Sequence, residues 1–143
     1  MPTDAGAQHL SNLKNLENIH LSNSSIGDAA LEALAKLPKL SRMSLQKNAF
    51  TDGGLAHLTD MQQLRSSWIG MSKGKITDAG VAHLAGLEDL EALDLQHSQI
   101  TDAGLEHLKG LKNLRKLYLS SSPVTEAGLA SLREALPNLN VRK

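Results

Sequence analysis

The block Thr101-Asp102-Ala103-Gly104-Leu105-Glu106-His107-Leu108 returns along the chain, starting at Thr3, Thr51, Thr77 and Thr101 and in weaker form at Gly27 and Thr125. Successive starts lie 24, 24, 26, 24 and 24 residues apart. A fixed period of this length, punctuated by leucine, restricts the chain to a solenoid, because each unit presents an apolar face that it can bury only against its neighbours. The 143 residues are therefore expected to form one domain, 1–143, with repeats starting near 3, 27, 51, 77, 101 and 125.

The repeat from Thr101 to Val124 shows how one coil is built. Thr101 is a helix N-cap and Asp102 places negative charge on the first turn. Leu105 and Leu108 share one face, and Gly104 beside them allows a neighbouring coil to come close. Gly110 is expected to end the helix. Leu111 and Leu114 lead inward to a short strand, in which Leu117 and Leu119 flank Tyr118 with period-two alternation. Ser120-Ser121-Ser122-Pro123 turns outward, and Val124 closes the core. The same ladder recurs at Leu10, Leu34, Leu58, Leu84, Leu108 and Leu132 and at Leu16, Leu40, Leu64, Leu90 and Leu114. Stacking gives an α/β, right-handed solenoid of five to six coils, with a parallel sheet on the concave face and helices on the convex face. Strands about 4.8 Å apart set the curvature.

The run Leu90-Glu91-Ala92-Leu93-Asp94-Leu95-Gln96-His97-Ser98-Gln99-Ile100, followed by Thr101 to Leu105, resembles the leucine-rich repeat family. It is similar to the short repeats of ribonuclease-inhibitor-like proteins, F-box substrate receptors and bacterial proteins with Thr-Asp-Ala-Gly-Leu blocks. The resemblance spans nearly the whole chain and implies a module that binds a partner, usually a protein. The asparagine usual in the descending turn is kept only at Asn48; Ser24, Ser98 and Ser122 replace it, and their hydroxyls can bond the same backbone groups.

The third repeat departs from the pattern. Two extra residues lie between Thr51 and Thr77, and Ser66 to Ile76 admits two registers. In one, Ser67 and Ile69 point inward and the extra residues bulge near Gly74-Lys75. In the other, Ile69 and Met71 point inward and the bulge precedes the strand. The registers differ by an even number of residues, so Trp68 faces outward in both.

Composition excludes several functions. Lys plus Arg and Asp plus Glu number 15 each, which leaves no electrostatic footprint for a nucleic acid or an anionic membrane. Cysteine is absent, so there is no disulfide framework or thiolate metal site. No apolar run reaches the roughly 18 residues that a membrane span needs, and the N-terminus lacks a signal peptide, which favours the cytoplasm.

The outward strand positions form a concave column of His20, Ser44, Trp68 or Gly70, Asp94 and Tyr118, holding two of the three aromatic residues. Phe50, the third, falls on a closing core position. Trp and Tyr are over-represented among interface hot spots, so this face is the candidate ligand-binding site: Trp68, Tyr118, Asp94, His20, Ser44, Arg42, Gln96 and Lys116. Asp94 should stand between two rings about 10 Å apart, twice the strand spacing, and receive a lysine or arginine of the partner. Gln46, Lys47, His97 and Arg115 flank it.

No metal site and no cofactor is expected. His9, His57, His83 and His107 recur at one place in four different helices, too far apart for shared coordination. The acids Asp4, Asp28, Asp52, Asp78, Asp102 and Glu126 read as helix first-turn charges. Asp94, His97 and Ser120 or Ser121 form no catalytic set, because an open sheet offers neither an oxyanion hole nor a closed pocket.

The segment from Leu132 to Lys143 gains one residue and loses the strand pattern, which reads as a terminus. Met1-Pro2-Thr3 enters a repeat without a cap, as in a fragment of a larger protein, and the strand edge near Asn18 to Ser22 invites self-association. Three functions follow: a non-catalytic module binding a protein or peptide on its concave face, a structural unit assembling through its ends, or a substrate adaptor for an enzyme complex.

Overall fold

In a computed structural model, which describes residues 2–68, 70 and 75–143, helix and strand alternate throughout. The helices are α1 (Asp4–Leu10), α2 (Asp28–Ala35), α3 (Asp52–Ala56), α4 (Asp78–Ala82), α5 (Asp102–Glu106) and α6 (Glu126–Ala135). The strands are β1 (Asn18–His20), β2 (Arg42–Ser44), β3 (Ser66–Trp68), β4 (Ala92–Asp94), β5 (Lys116–Tyr118) and β6 (Asn140–Arg142). All of these strands pair in parallel in one open sheet, in chain order. Strands pack more closely than helices, so the sheet lines the inner, concave curve of a solenoid.

Each threonine of the repeat does what its position dictates. The Oγ1 atoms of Thr3, Thr51, Thr77, Thr101 and Thr125 accept from the N–H of Gly6, Gly53, Ala79, Ala103 and Gly128. Gly27 has no side chain to offer and caps α2 without such a bond. Helices α3, α4 and α5 last only five residues each, and their C-caps are His57, His83 and His107. The helix of the fifth repeat therefore ends before Gly110, which lies in a following turn and takes no left-handed conformation.

The acids at the helix starts do more than complement a helix dipole. Asp28, Asp52, Asp78 and Asp102 each reach the following coil: one carboxylate oxygen accepts the N–H of Thr51, Thr77, Thr101 or Thr125 at 2.7–2.8 Å. The other accepts the hydroxyl of the same threonine at 2.5–2.6 Å. Asp4 accepts the Gly27 N–H at 2.7 Å, and Gly27 has no hydroxyl to add a second bond. These bonds need a bare backbone: a Cβ on Gly54, Gly80, Gly104 or Gly128 would collide with the carboxylate of Asp28, Asp52, Asp78 or Asp102. Thr, Asp and Gly of the repeat thus form one device that staples coil to coil.

Inside, the register stacks Ile19, Met43, Ser67, Leu93, Leu117 and Val141 in one row. A second row holds Leu40, Leu64, Leu90 and Leu114, and the closing row holds Ile26, Phe50, Ile76, Ile100 and Val124, all buried. In the descending turns Asn48 donates to the carbonyls of Leu21 and Leu45 and accepts the Ser24 N–H. Ser98 and Ser122 share a hydroxyl bond of 2.9 Å, and Ser122 donates to the Leu95 carbonyl.

The third repeat takes the register with Ser67 inward, paired with Met43 and Leu93. Arg42 pairs with Ser66 and Ser66 with Ala92, so the two extra residues fall after β3. Ile69 and the bulge near Gly74 lie outside the described residues. The C-terminal segment does form a strand, contrary to its sequence pattern. β6 needs only backbone groups to pair with β5, and Leu139 supplies the apolar step before it.

Candidate functional site

The register that stacks the core also arrays the opposite face of the sheet. His20, Ser44, Trp68, Asp94 and Tyr118 stand in one row, which continues to Arg142. A parallel row holds Asn18, Arg42, Ser66, Ala92, Lys116 and Asn140. Arg42, Lys116 and Arg142 are exposed, while Trp68 and Tyr118 are half-buried.

Trp68 and Tyr118 stand two strands apart, yet their ring centroids lie 5.0 Å from each other at 41°. Each leans across β4, because contact between two large apolar rings removes surface from water that neither could hide alone. Trp68 Nε1–H donates to Ser66 Oγ at 2.7 Å, which fixes the indole's tilt. The Arg142 guanidinium carbon lies 6.0 Å from the Tyr118 ring centroid on the other side, at the outer limit of a cation–π contact.

Asp94 is not the open acid between separated rings that its place in the column implies. It is fully buried below the ring pair. A carboxylate at that depth must find donors, and it finds them within the chain. Gln46 Nε2–H donates to one oxygen, and the Gln96 N–H donates to the other at 3.0 Å. Gly70 completes the enclosure, since a Cβ there would overlap the Asp94 carboxylate and the Gln96 nitrogen. A partner's cation therefore meets rings before it meets Asp94, and the cation already placed on a ring belongs to the chain itself.

The ring pair divides the face into two depressions. One, of about 350 Å³, is lined by Asn18, His20, Arg42, Ser44, Ser66 and Trp68 over Ile19 and Met43. The other, of about 80 Å³, is lined by Lys116, Tyr118, Asn140 and Arg142. Ser44 shares a 3.2 Å hydroxyl contact with Ser22 at the edge of the first. His97 and Ser121, with Asn23 and Lys47, occupy left-handed turn positions at φ between 55° and 62°. There His97 serves the ladder by donating its N–H to the Ser120 carbonyl.

Arg142 escapes a reading of the sequence, and Gln46 and Gly70 enter it only as a flanking and an alternative outward residue, without their contacts to Asp94. Arg142 lies 24 residues after Tyr118, so the period itself marks it once β6 is known to be a strand. The Gln46–Asp94 bond joins residues 48 apart and crosses two coils, which no pattern along the chain announces. Among the described residues no group of three histidines or acids is close enough to hold a metal ion.

An open parallel sheet whose coils repeat leucine at fixed stations defines the class: a leucine-rich solenoid. The sequence matches a leucine rich repeat profile over residues 67–124. Among solved structures, an internalin of Listeria monocytogenes superposes with a TM-score of 0.79 at 27% identity, over 95% of this chain and 37% of its own length. A leucine-rich repeat protein of Leptospira interrogans shares the fold with a TM-score of 0.69 at 22% identity, over 95% of this chain and 33% of its own. The chain thus spans about a third of the length of either bacterial neighbour. No curated relative matches it. Coils before and after the matched segment are built on the same stations, so the whole chain shares the leucine-rich repeat fold.

Proposed function

We propose that the chain is a non-catalytic recognition module that holds a protein or peptide on the concave sheet. Leucine-rich repeat proteins generally act as protein-interaction modules. The observation that carries the reading here is the Trp68–Tyr118 pair, two large rings held in contact on an otherwise polar sheet face. Clusters of this kind resemble binding hot spots, where aromatic anchors sit within a polar surround. His20, Ser44 and Arg42 line the depression on one side of the rings, and Lys116 borders the other. Gln96 contributes its N–H to the buried Asp94 beneath, so both residues shape the platform from below. Both carboxylate oxygens of Asp94 are engaged by Gln46 and by the Gln96 N–H, which supports a structural role for this acid.

The test uses wild type and Trp68→Ala/Tyr118→Ala, each immobilised and exposed to lysate of the native host, with retained proteins identified by mass spectrometry. A protein held by wild type and lost by a double variant with unchanged circular dichroism supports the reading. Equal retention by both removes it.

A second reading is self-association at the first coil. There Leu10, Leu16, Ile19 and Leu21 are only partly buried, Leu13 is 49% exposed, and β1 has one unpaired edge. Assembly of this kind would survive the ring substitutions and fail in Ile19→Glu, as measured by sedimentation across a concentration series.

A further inference from the structure

We infer that the occupant of the sheet face is an acidic, extended segment of a partner protein. It crosses the strands with two carboxylates about four or six residues apart, on the same face of the segment and on either side of an apolar side chain. The inference rests on the reading that the sheet face is the binding surface, and it specifies the chemistry of the partner.

The charge distribution carries the argument. The whole chain is neutral, with 15 acids against 15 lysines and arginines. Its sheet is not. Asp94 is the strand acid, and it is buried with both oxygens bonded from within. Arg42, Lys116 and Arg142 are the strand cations; all three are exposed, and among the described residues none has a carboxylate within ion-pair distance. Of the other acids, Glu17 and Glu91 stand exposed at the entrances of β1 and β4, where Glu91 is ion-paired with Arg65, and the rest lie on helices, at helix starts and in the connecting turns. A polar face that offers cations and hides its acid complements negative charge.

The spacing narrows the ligand. The ring pair separates a depression bordered by Arg42 from one bordered by Lys116 and Arg142. Arg42 on β2 and Lys116 on β5 stand three strands apart, about 14 Å, and Arg142 stands four strands apart, about 19 Å. An extended chain advances about 3.3 Å per residue with alternate side chains on one face, so acids about four residues apart reach Arg42 and Lys116, and acids about six apart reach Arg42 and Arg142. The residue midway between them falls on Trp68 and Tyr118, which supply apolar contact. Three cations on a neutral chain release few counterions, which disfavours single-stranded nucleic acid as the occupant despite the rings.

Random 12-residue peptides displayed on phage are selected on the wild-type chain at low salt, and the winners are then titrated by fluorescence of Trp68, the sole tryptophan. The expected winners carry paired Asp or Glu around an apolar residue. Their binding weakens about tenfold or more in Arg42→Glu/Lys116→Glu/Arg142→Glu and falls as salt rises. The same triple variant, used as bait, selects basic peptides, which separates charge choice from damage to the fold. Winners that are neutral or basic on wild type overturn the inference. So does a selection that retains nothing, or a 12-nucleotide oligothymidylate that changes the fluorescence at lower concentration than the peptides. Acidic winners that, carrying a fluorescent label and followed by anisotropy, bind Trp68→Ala/Tyr118→Ala undiminished show instead that the sheet face is the wrong surface.

Discussion

The helix starts and the sheet face of each coil are built on opposite rules. At the helix starts one chemistry recurs: Asp28, Asp52, Asp78 and Asp102 each hold the threonine of the next coil, and a glycine makes room. On the sheet face the corresponding residues of successive coils are His20, Ser44, Trp68, Asp94, Tyr118 and Arg142, no two alike. Stacking needs the same bond at every step, so the stapled side repeats. Among the described residues no bond of that kind ties the open side from coil to coil, so its residues are free to vary. A solenoid keeps the two apart because strand residues alternate between core and solvent, and the outward set can change without disturbing the inward one.

The inward row itself breaks the rule once, and that break offers the largest test. Leu93 and Ser67 occupy paired positions on adjacent strands, both fully buried. Leu93→Ala should lose about 2–5 kcal/mol, because the coils around it cannot collapse into the space it leaves. Ser67→Ala should go the other way. Its hydroxyl is buried without a hydrogen-bond partner among the described residues, and removing such a group relieves a cost of about 1–3 kcal/mol, less the small loss of packing. Urea denaturation of the two variants beside wild type decides the matter. A Ser67→Ala that loses as much as Leu93→Ala would mean that the hydroxyl is bonded after all.

The staples rank next. Asp52 accepts two bonds from Thr77, at 2.7 and 2.6 Å, whereas Asp4 accepts one, from Gly27. Asp52→Ala should therefore cost about 2 kcal/mol and Asp4→Ala about 1, both read from denaturation midpoints. Gly80→Ala should cost less in the Asp52→Ala background than in wild type, since the clash it creates is with that carboxylate. Additive effects would show that glycine and aspartate do not act as one device.

This contrast also explains how far the sequence could be read. Period-24 stations gave the coil, the sheet, the outward row and the core at Phe50, because each is set by spacing along the chain. The helix length was overestimated, since Gly110 looked like a stop while the backbone had already turned at His107. The staples went unrecognised as bonds between coils: an acid on a first turn has a sufficient local explanation, and the threonine it holds also has one as an N-cap. At the site, Trp68 and Tyr118 were legible as outward residues, but not their contact. Side chains two strands apart met by leaning, and Asp94 on the strand between them is buried and bonded within the chain rather than open between separated rings. Burial of that sort depends on rotamers and on Gln46 from a coil two turns away, and neither leaves a mark in the spacing.

The smallest expected effect lies at the last staple. The hydroxyl of Thr125 donates to Asp102, its N–H donates to the same carboxylate, and Lys143 adds attraction. Together they outweigh the opposing effect of desolvation and hold the Asp102 carboxyl below its ordinary 3.8. A carboxylate whose pKa is lower in the folded chain favours folding above its unfolded value, and that contribution disappears as pH falls through the folded one. The Asp102 contribution is therefore complete near neutrality and lost only in strong acid, below pH 3.8. Thr125→Val removes the first and largest cause while leaving the backbone donor in place, so the Asp102 pKa should rise towards its ordinary value without reaching it. Carbon-detected NMR titration of the Asp102 carboxyl measures this in the folded chain. An unchanged titration in Thr125→Val would assign the shift to the backbone N–H alone and reduce the threonine hydroxyl to a helix cap.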